Sequence, residues 1–353
     1  MATFGFVGYE DLADERVVDG NIEYVNTAIA RSLEEHNRQV SAGLAELAER
    51  TTAYTARFKI GGGGTLQPAD EWSNPLPVKD EGAYDVAFPL QGGMTAWGDN
   101  RVSRALMTVG EAERYTSGML RRDADWVRRH FLAALFDNTT WTFTDEEKGA
   151  LTVQPLANAD TVTYGRNNGT WATDSHYLTQ AAAISDVANP FQTIRNELSE
   201  HPGNAGPYVA YVPSALTGAV QGLTNFVDVE EEDVDPGILA PRLSNVPDRG
   251  FGDAVLGKVD GVWIVEYSFL PATHIIAVAR GAEDRPLRMR EYPSAALQGF
   301  FQETHSPDGN LMLRKFFRYA GFGVYNRTAA LVFEPSQAGA YSIPTGYATP
   351  VAV

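Results

Sequence analysis

The side chains that most often carry out chemistry are scattered along this chain. Its histidines show no H-E-x-x-H pair and no carboxylate at a metal-binding spacing; they are His36, His130, His176, His201, His274 and His305. Local zinc motifs depend on such spacing, because a short segment must aim several ligands at one ion. Cysteine is absent, which excludes disulfides, thiolate zinc sites and cysteine nucleophiles. We therefore predict no metal site and expect each histidine to be structural or exposed.

The remaining polar residues form no recognisable catalytic set. The carboxylate pairs Glu146-Glu147 and Glu283-Asp284 lie in turn-like, wet segments, where nothing would raise a carboxyl pKa. No G-x-S-x-G elbow, dinucleotide-binding glycine fingerprint or kinase motif occurs. The glycine run Gly61 to Gly64 lacks the Gly-Lys-Ser/Thr of a phosphate-binding loop. The sequence thus predicts no catalytic residues, no cofactor-binding residues and no cofactor.

One acidic run could suggest a cation site. Within Phe226 to Asn245 the carboxylates are Asp228, Glu230, Glu231, Glu232, Asp233 and Asp235. Their spacing does not match the calcium-binding register D-x-D-x-D-G of an EF-hand. A solvated acidic loop is the preferred interpretation, and cation binding there stays open.

Composition limits the class of protein. A chain of 353 residues can form two modest domains or one large one. The formal net charge of -17 disfavours a protein whose main work is to grip nucleic-acid phosphates. No signal peptide and no apolar stretch of about 18 residues is present, which predicts a soluble, non-secreted chain with no membrane partner.

Apolar periodicity predicts four helices. The first spans Asn21 to Ala48, with Ile22, Val25, Ile29, Leu33, Val40, Leu44 and Leu47 on one stripe. This helix packs either on its own domain or on another subunit. The second spans Val102 to Asp137, with Leu106, Val109, Ala112, Met119, Val127, Phe131 and Leu135 on one stripe; its arginines 121, 122, 128 and 129 are interpreted as a solvated or salt-bridged face. A third covers Thr179 to His201 through Pro190, and a fourth covers Ala215 to Leu223 with Ser214 as its cap.

Short alternating runs predict strands. Tyr54, Ala56, Phe58 and Ile60 alternate on the way out of a long hairpin, and Tyr84, Val86, Phe88 and Leu90 alternate on its return. Further strands are expected at Trp141–Phe143, at Thr161–Tyr164 and in a buried run that ends at Pro213. The runs Val262–Val265 and Ile275–Ala279 are expected to pair with each other, as a hairpin or tight meander. Gly321 and Gly323 indicate a place where backbones pack closely.

Several short sequence segments, which we call words, follow one another over Ala254 to Glu334 in an order that resembles that of a known family. These words are G-V-W-I-V-E-Y-S-F-L-P, I-I-A-V-A-R, R-P-L-R-M-R and L-M-L-R-K-F-F-R-Y-A-G-F-G-V-Y-N-R-T-A-A-L-V. The pattern resembles the C-terminal part of tailed-phage major capsid proteins, whose fold is shared with encapsulins. The resemblance implies an α+β fold with an N-terminal arm, an extended β-hairpin loop, a peripheral domain with a long spine helix, and a mixed α/β axial domain.

That fold implies five segments along the chain. They are an N-terminal arm with an amphipathic helix at 1–50, an extended loop at 51–101, a peripheral domain at 102–178, a mainly axial domain at 179–285, and a return to the peripheral domain with the C-terminal tail at 286–353. Some members of the family join a loop lysine to an asparagine covalently. Lys59 and Lys79 lie in the loop here, but no asparagine can be matched, so no such bond is predicted.

The resemblance implies a structural protein rather than an enzyme. Its expected partners are other copies of itself, as hexamers and pentamers, with a separate scaffolding protein, a portal and possibly a decoration protein. The shell would enclose double-stranded DNA without sequence-specific binding, in a virion assembled in the host cytoplasm. Because the arm starts almost at Met1, no cleaved propeptide is expected. Two alternatives are an encapsulin-type compartment holding a cargo enzyme, and an unrecognised soluble enzyme.

Overall fold

The computed structural model describes residues 22–60, 82–100, 106–229, 253–305 and 311–351. In these ranges the chain is α+β, with helices and many strands in mixed sheets. The helices are α1 Ile22–Leu44, α2 Val109–Phe136, α3 Phe191–Ser199 and α4 Ser214–Gln221, with a 3-10 turn at Ala295–Leu297. None of the helices in these ranges is long and apolar enough to cross a bilayer.

The strands are short, apart from two that belong to one sheet. In chain order they are β1 Ala48–Thr51, β2 Thr55–Lys59, β3 Ala83–Ala87, β4 Gln91–Asn100, β5 Trp141–Asp145, β6 Gly149–Val153, β7 Asn158–Gly165, β8 Trp171–Ser175, β9 Tyr177–Gln180, β10 Asn204–Val212, β11 Val227–Asp228, β12 Ala254–Val259, β13 Val262–Glu266, β14 Ile275–Ala282, β15 Leu287–Glu291, β16 Phe300–His305, β17 Leu311–Val324 and β18 Ala330–Pro335. The strands expected near Trp141 and Thr161, and the buried run that ends at Pro213, are confirmed as β5, β7 and β10.

The chain divides into two compact units. The first unit comprises Met1–Ala42, Leu90–Arg129 and Glu291–Gly321, and the second comprises Gly43–Pro89, His130–Arg290 and Phe322–Val353. Each unit is therefore assembled from three separate stretches of sequence. The division of the chain into arm, loop, peripheral and axial segments stays a prediction.

The first unit packs helices on an antiparallel sheet. Within it β17 pairs with β4 on one side and with β16 on the other. Its core contains residues from both helices and the sheet: Ile29, Leu33, Trp97, Met107, Ala112, Met119, Phe300 and Phe316. The amphipathic helix predicted from Asn21 to Ala48 is confirmed as α1, but it ends at Leu44, because Ala48 already belongs to β1. Ile29 and Leu33 place part of its apolar stripe on its own unit rather than on another subunit.

The long helix begins later than its apolar pattern indicated. A capping box fixes the start of α2, because the Glu111 backbone N–H donates to Thr108 Oγ1 and the Thr108 N–H donates to the Glu111 carboxylate, each at 3.2 Å. The prediction of one continuous helix up to Asp137 was therefore wrong, because Met107 and Thr108 are not helical, and Leu106, expected on the buried stripe, is 56% exposed. Residues 101–105 lie outside the described ranges.

A seven-stranded sheet forms the centre of the second unit. Its order is β11-β12-β13-β10-β14-β18-β9. The predicted hairpin of Val262–Val265 with Ile275–Ala279 was wrong, because β10 lies between these two strands, parallel to β13 and antiparallel to β14. Residues Val209–Val212 of β10 are fully buried, so this strand gains a ladder of hydrogen bonds on both edges and packing on both faces.

The segment predicted as one helix from Thr179 to His201 is a strand followed by a shorter helix. Residues 177–180 form β9 and pair in parallel with β18. Pro190 stands at the N-cap of α3, and the Phe191 N–H donates to Asn189 Oδ1 at 3.0 Å. Val187, which the predicted stripe would bury, is 98% exposed. The apolar residues recur at a helical period by coincidence. The pairing of β9 with β18 and the position of Pro190 decide the structure instead.

The cap predicted for the next helix was also wrong. Ser214 is the first residue of α4, and the N-cap is Pro213, which makes no side-chain capping bond. Pro213 is extended at the end of β10, with ψ near 150°. Because Pro213 already turns the chain out of the strand, the helix starts one residue earlier than a serine cap would allow.

The base of the predicted long hairpin is present. Strands β2 and β3 pair with Ala56 opposite Val86 and Phe58 opposite Tyr84, as the alternation indicated. Close backbone packing is also confirmed at Gly323, where a Cβ atom would lie 2.6 Å from the carbonyl oxygen of Ala87. Several expectations fall on residues outside the described ranges: Gly61 to Gly64, Lys79, and Glu230 to Asp235.

His274 gives the second unit a pH-dependent contribution to stability. Its ring is buried, Nε2 lies 3.0 Å from the carbonyl oxygen of Ser342 and 3.9 Å from the Glu334 carboxylate, and Tyr341 packs against it edge to face. Burial lowers the pKa of His274, although the Ser342 bond and the Glu334 charge oppose this. The unfolded chain therefore binds the proton more readily than the folded one.

We predict that the free energy of unfolding falls as the pH drops below about 6.5, the pKa of an unfolded histidine. The variant His274→Gln should show a flatter dependence, because this proton is then not taken up on unfolding. Urea unfolding of both proteins between about pH 7.5 and 5.5 measures the difference. Equal slopes for the two proteins would contradict the prediction.

Candidate functional site

The base of the hairpin is held by a buried tyrosine. The rings of Phe58 and Tyr84 stack with centroids 5.1 Å apart. The Tyr84 hydroxyl donates to the carbonyl oxygen of Tyr325 at 2.9 Å and accepts the backbone N–H of Arg327 at 3.0 Å. Burial raises the pKa of Tyr84 well above its ordinary value, so the hydroxyl keeps the proton that it donates. Strands β2 and β3 are thus anchored to the turn before β18.

The side chain of Arg327 continues this anchor into the interior. It is completely buried, and its guanidinium donates to the carbonyl oxygens of Pro155 at 2.7 Å and Leu156 at 3.2 Å, and to Asn158 Oδ1 at 3.0 Å. The carboxylate of Asp160 supplies the counter-charge at 2.8 Å. A planar guanidinium presents donors in fixed directions, so these contacts fix the chain that leads into β7.

A second buried ion pair holds the first unit together. Arg318 on β17 contacts Asp123 on α2 through two bonds of 2.5 and 2.7 Å, and both side chains are almost fully buried. His36 Nε2 lies 2.7 Å from the same carboxylate. Asn37 accepts from Arg318 at 3.0 Å and exchanges two hydrogen bonds with the backbone of Phe300. The polar interruption in the apolar stripe of α1 is therefore the point where helices and sheet are joined.

Two histidines and a carboxylate meet in the interior of the second unit. Asp174 lies on β8, His176 follows that strand directly, and His201 follows the end of α3. The three residues are 9%, 0% and 3% exposed. The two imidazole Nε2 atoms are 3.2 Å apart, and Asp174 Oδ2 lies 2.8 Å from Nε2 of His201 and 3.7 Å from Nε2 of His176. We call these three residues the Asp-His-His cluster.

Charged side chains border the Asp-His-His cluster. Glu200 Oε1 lies 3.8 Å from His201 Nε2 and 3.1 Å from the guanidinium of Arg166. Burial, a hydrogen bond with Asp174 and the charge of that carboxylate raise the pKa of Glu200 to about 7. Burial and the same charge raise the pKa of Glu197. The carboxylate oxygens of Asp174, Glu197 and Glu200 lie within 4.8 Å of one another.

Among the histidines whose side chains the structure describes, His176 and His201 come together. His36 pairs with Asp123, and His274 lies near Glu334. Sequence analysis missed the cluster because His201 is far along the chain from the other two residues. One local signal was present: Asp174 and His176 are two residues apart in an extended segment, which places both on one face.

The fold is similar to that of chains in solved phage structures. A chain from Mycobacterium phage Patience is 22% identical with a TM-score of 0.70, and the match covers 100% of this chain and 98% of that chain. A chain from the asymmetric unit of the bacteriophage PhiM1 mature capsid is 10% identical with a TM-score of 0.50, covering 83% and 85% of the two chains. No protein-family model and no curated protein matches the sequence. The chain therefore has the phage major capsid fold, as the resemblance implied.

The role of Tyr84 at the base of the hairpin can be tested by removing its hydroxyl oxygen. The variant Tyr84→Phe leaves the buried N–H of Arg327 and the carbonyl oxygen of Tyr325 without this partner, and should lower the free energy of unfolding by about 1–3 kcal/mol. Urea unfolding provides the measurement. Tyr54→Phe removes a hydroxyl that bonds the exposed carboxylate of Glu147, and should have a much smaller effect. Equal losses in the two variants would contradict the assigned role of Tyr84.

The ion pair in the first unit makes a separate prediction. Asp123→Asn leaves the buried charge of Arg318 unpaired and turns an amide N–H toward other donors, so it should cost about 3–5 kcal/mol of stability. Thermal or urea unfolding checks this. Asp125→Asn, two residues away on an exposed face of the same helix, removes a surface contact with Arg128 and serves as the matched control. A loss for Asp123→Asn no larger than the control's would be incompatible with the role of Asp123.

Proposed function

We propose that this chain is the major capsid protein of a tailed phage, which self-assembles into the icosahedral shell around a double-stranded DNA genome. The observation that carries the proposal is the agreement of the fold with the Patience chain over nearly the full length of both chains. The role is mechanical rather than enzymatic: copies of the chain form hexamers and pentamers, and these close into a container.

The anchored hairpin fits a subunit that must grip its neighbours. In the proposed shell, the loop that leaves β2 and returns to β3 lies across an adjacent subunit, and a firmly held base lets that contact bear load. Several large apolar side chains are exposed in the described ranges, among them Met94 at 80%, Val187 at 98% and Phe269 at 50%. Contacts between subunits would cover such side chains. Many modest interfaces on each subunit together give a stable shell.

The charge of the chain fits enclosure of DNA rather than recognition of it. A net charge of -17 gives no general attraction for phosphates, so the proposed shell contains the genome without sequence-specific contacts. Arg128 on α2, one of the arginines expected on a solvated or salt-bridged face, pairs with Asp125 at 2.6 Å. A scaffolding protein, a portal and possibly a decoration protein complete the proposed assembly, which forms in the host cytoplasm and ends in the virion.

Assembly state tests the proposal directly. The chain is expressed with and without a candidate scaffolding protein, and the products are examined by electron microscopy and sedimentation. We expect closed shells or capsomer rings, and nuclease-protected DNA in particles from the native source. Particles that hold an enzyme instead would identify an encapsulin-type compartment. A stable monomer under every condition would contradict a shell protein.

Shortening the loop between β2 and β3 tests its proposed role in assembly directly. The Ile60 N–H donates to the carbonyl oxygen of Gly82 at 3.1 Å, so residues 61–81 can be replaced by a two-residue Asn-Gly turn that closes the paired strands. We expect a subunit with unchanged circular dichroism and thermal unfolding that no longer forms closed shells, because the contacts of the loop with neighbours are gone. Shells that form as readily as those of the wild-type chain would exclude this role of the loop.

A further inference from the structure

The hydrogen bonds of the Asp-His-His cluster fix which ring nitrogens carry protons. His176 Nδ1 lies 2.7 Å from the carbonyl oxygen of Ala330, and His201 Nδ1 lies 3.2 Å from that of Gly165. A carbonyl oxygen only accepts, so both Nδ1 atoms must donate. In neutral rings both Nε2 atoms are then acceptors. These two atoms face each other at 3.2 Å.

The carboxylate adds a third acceptor to the same point. Asp174 Oδ1 accepts the N–H of Ser175 at 2.7 Å, which leaves Oδ2 directed at the two Nε2 atoms. Three acceptors that face one another without a donor repel, and in a buried position the cost is high. A positive species between them removes the repulsion. It is either a single proton shared by the group or a metal ion.

The separations of the three atoms fit a metal ion. A tetrahedral zinc ion with bonds of about 2.0–2.1 Å holds its ligand atoms about 3.3 Å apart. The observed separations of 2.8, 3.2 and 3.7 Å bracket that value. Each histidine also donates its other ring N–H to a backbone carbonyl, which is the arrangement that orients metal-binding imidazoles.

The surrounding charge favours a divalent cation over a proton. Around the cluster stand the carboxylates of Asp174, Glu197 and Glu200, against the single guanidinium of Arg166. A divalent ion offsets more of this acidic surrounding than one added proton does. Glu200 and Arg166 are partly exposed, so the cluster is reached from the surface past their side chains. Imidazole with carboxylate is a donor set that suits zinc.

We propose that Asp174, His176 and His201 form a structural site for Zn²⁺, with Glu200 beside the fourth coordination position. The ion joins the junction of β8 and β9 to the end of α3, two parts of the second unit that are distant in sequence. It ties this part of the subunit together in the way that a disulfide would, in a chain without cysteine. The site is a property of the folded subunit and does not depend on assembly.

The full-length protein, purified without a polyhistidine tag and dialysed against a chelator, is titrated with Co²⁺ and then with Zn²⁺. We expect one equivalent of Co²⁺ to give the visible absorption of a low-symmetry cobalt site, and Zn²⁺ to abolish it by displacement. Zn²⁺ should also raise the midpoint of thermal unfolding, a chelator should reverse the rise, and Mg²⁺ should not reproduce it. No stoichiometric uptake of Co²⁺ or Zn²⁺ by the folded wild-type protein would overturn the proposal.

Substitutions of the proposed ligands test which side chains bind the metal ion. His176→Gln and His201→Gln should each weaken Co²⁺ affinity by at least about 100-fold, more than the loss of an outer-shell partner typically costs. His274→Gln is the matched control, because His274 is equally buried in the same unit and bonds only Ser342 and Thr273. If the ligand variants fold poorly, the milder Glu200→Gln should keep the metal with weaker affinity. Unchanged binding in both histidine variants would place the metal elsewhere and leave a shared proton in the cluster.

Discussion

The packing of the second unit depends on the buried guanidinium of Arg327, because that charge must be compensated inside the protein. A charged group without contact with water is tolerated when acceptors and a counter-charge surround it, and here carbonyl oxygens and an amide accept hydrogen bonds while a carboxylate supplies the counter-charge. These groups come from β7 and from the chain that leads into it. Arg327 can be accommodated only after β18 and that segment have come together, so it enforces one arrangement of parts that are distant in sequence.

The backbone around Arg327 extends the same constraint in two directions. Its N–H bonds the Tyr84 hydroxyl, which fixes the base of the hairpin, and its carbonyl oxygen accepts the N–H of Ala157 at 3.0 Å. The carbonyl oxygen of Ala157 in turn accepts the N–H of His176 at 2.7 Å. The base of the loop and the Asp-His-His cluster are thus connected by a short series of hydrogen bonds. A substitution at either end is therefore expected to affect the other end, because both ends are bonded to the same intermediate residues.

The first unit also contains a buried arginine, and its charge is compensated by a bidentate ion pair. Arg318 and Asp123 form a bidentate pair, and the polar residues in the middle of α1 complete it. Such a pair gives little net stability compared with an apolar contact of the same size, but it is costly to break. It therefore favours one register of helix against sheet. That specificity suits the proposed shell subunit, whose copies would all present the same surfaces.

The sequence by itself determined the local periodicities and the absence of local motifs. Alternation fixed the faces of β2 and β3, and the apolar stripe identified α1. Both periodicities depend on neighbouring residues, whose preferences act without the rest of the molecule. The α+β capsid fold was implied by the resemblance of the C-terminal segments to a known family. Only the tertiary structure decided that β10 separates β13 from β14, that residues 177–180 join a sheet, and that His201 meets Asp174 and His176. These outcomes follow from long-range pairing and burial, because the free energy of a central strand or a buried polar cluster comes from partners that the local sequence does not contain.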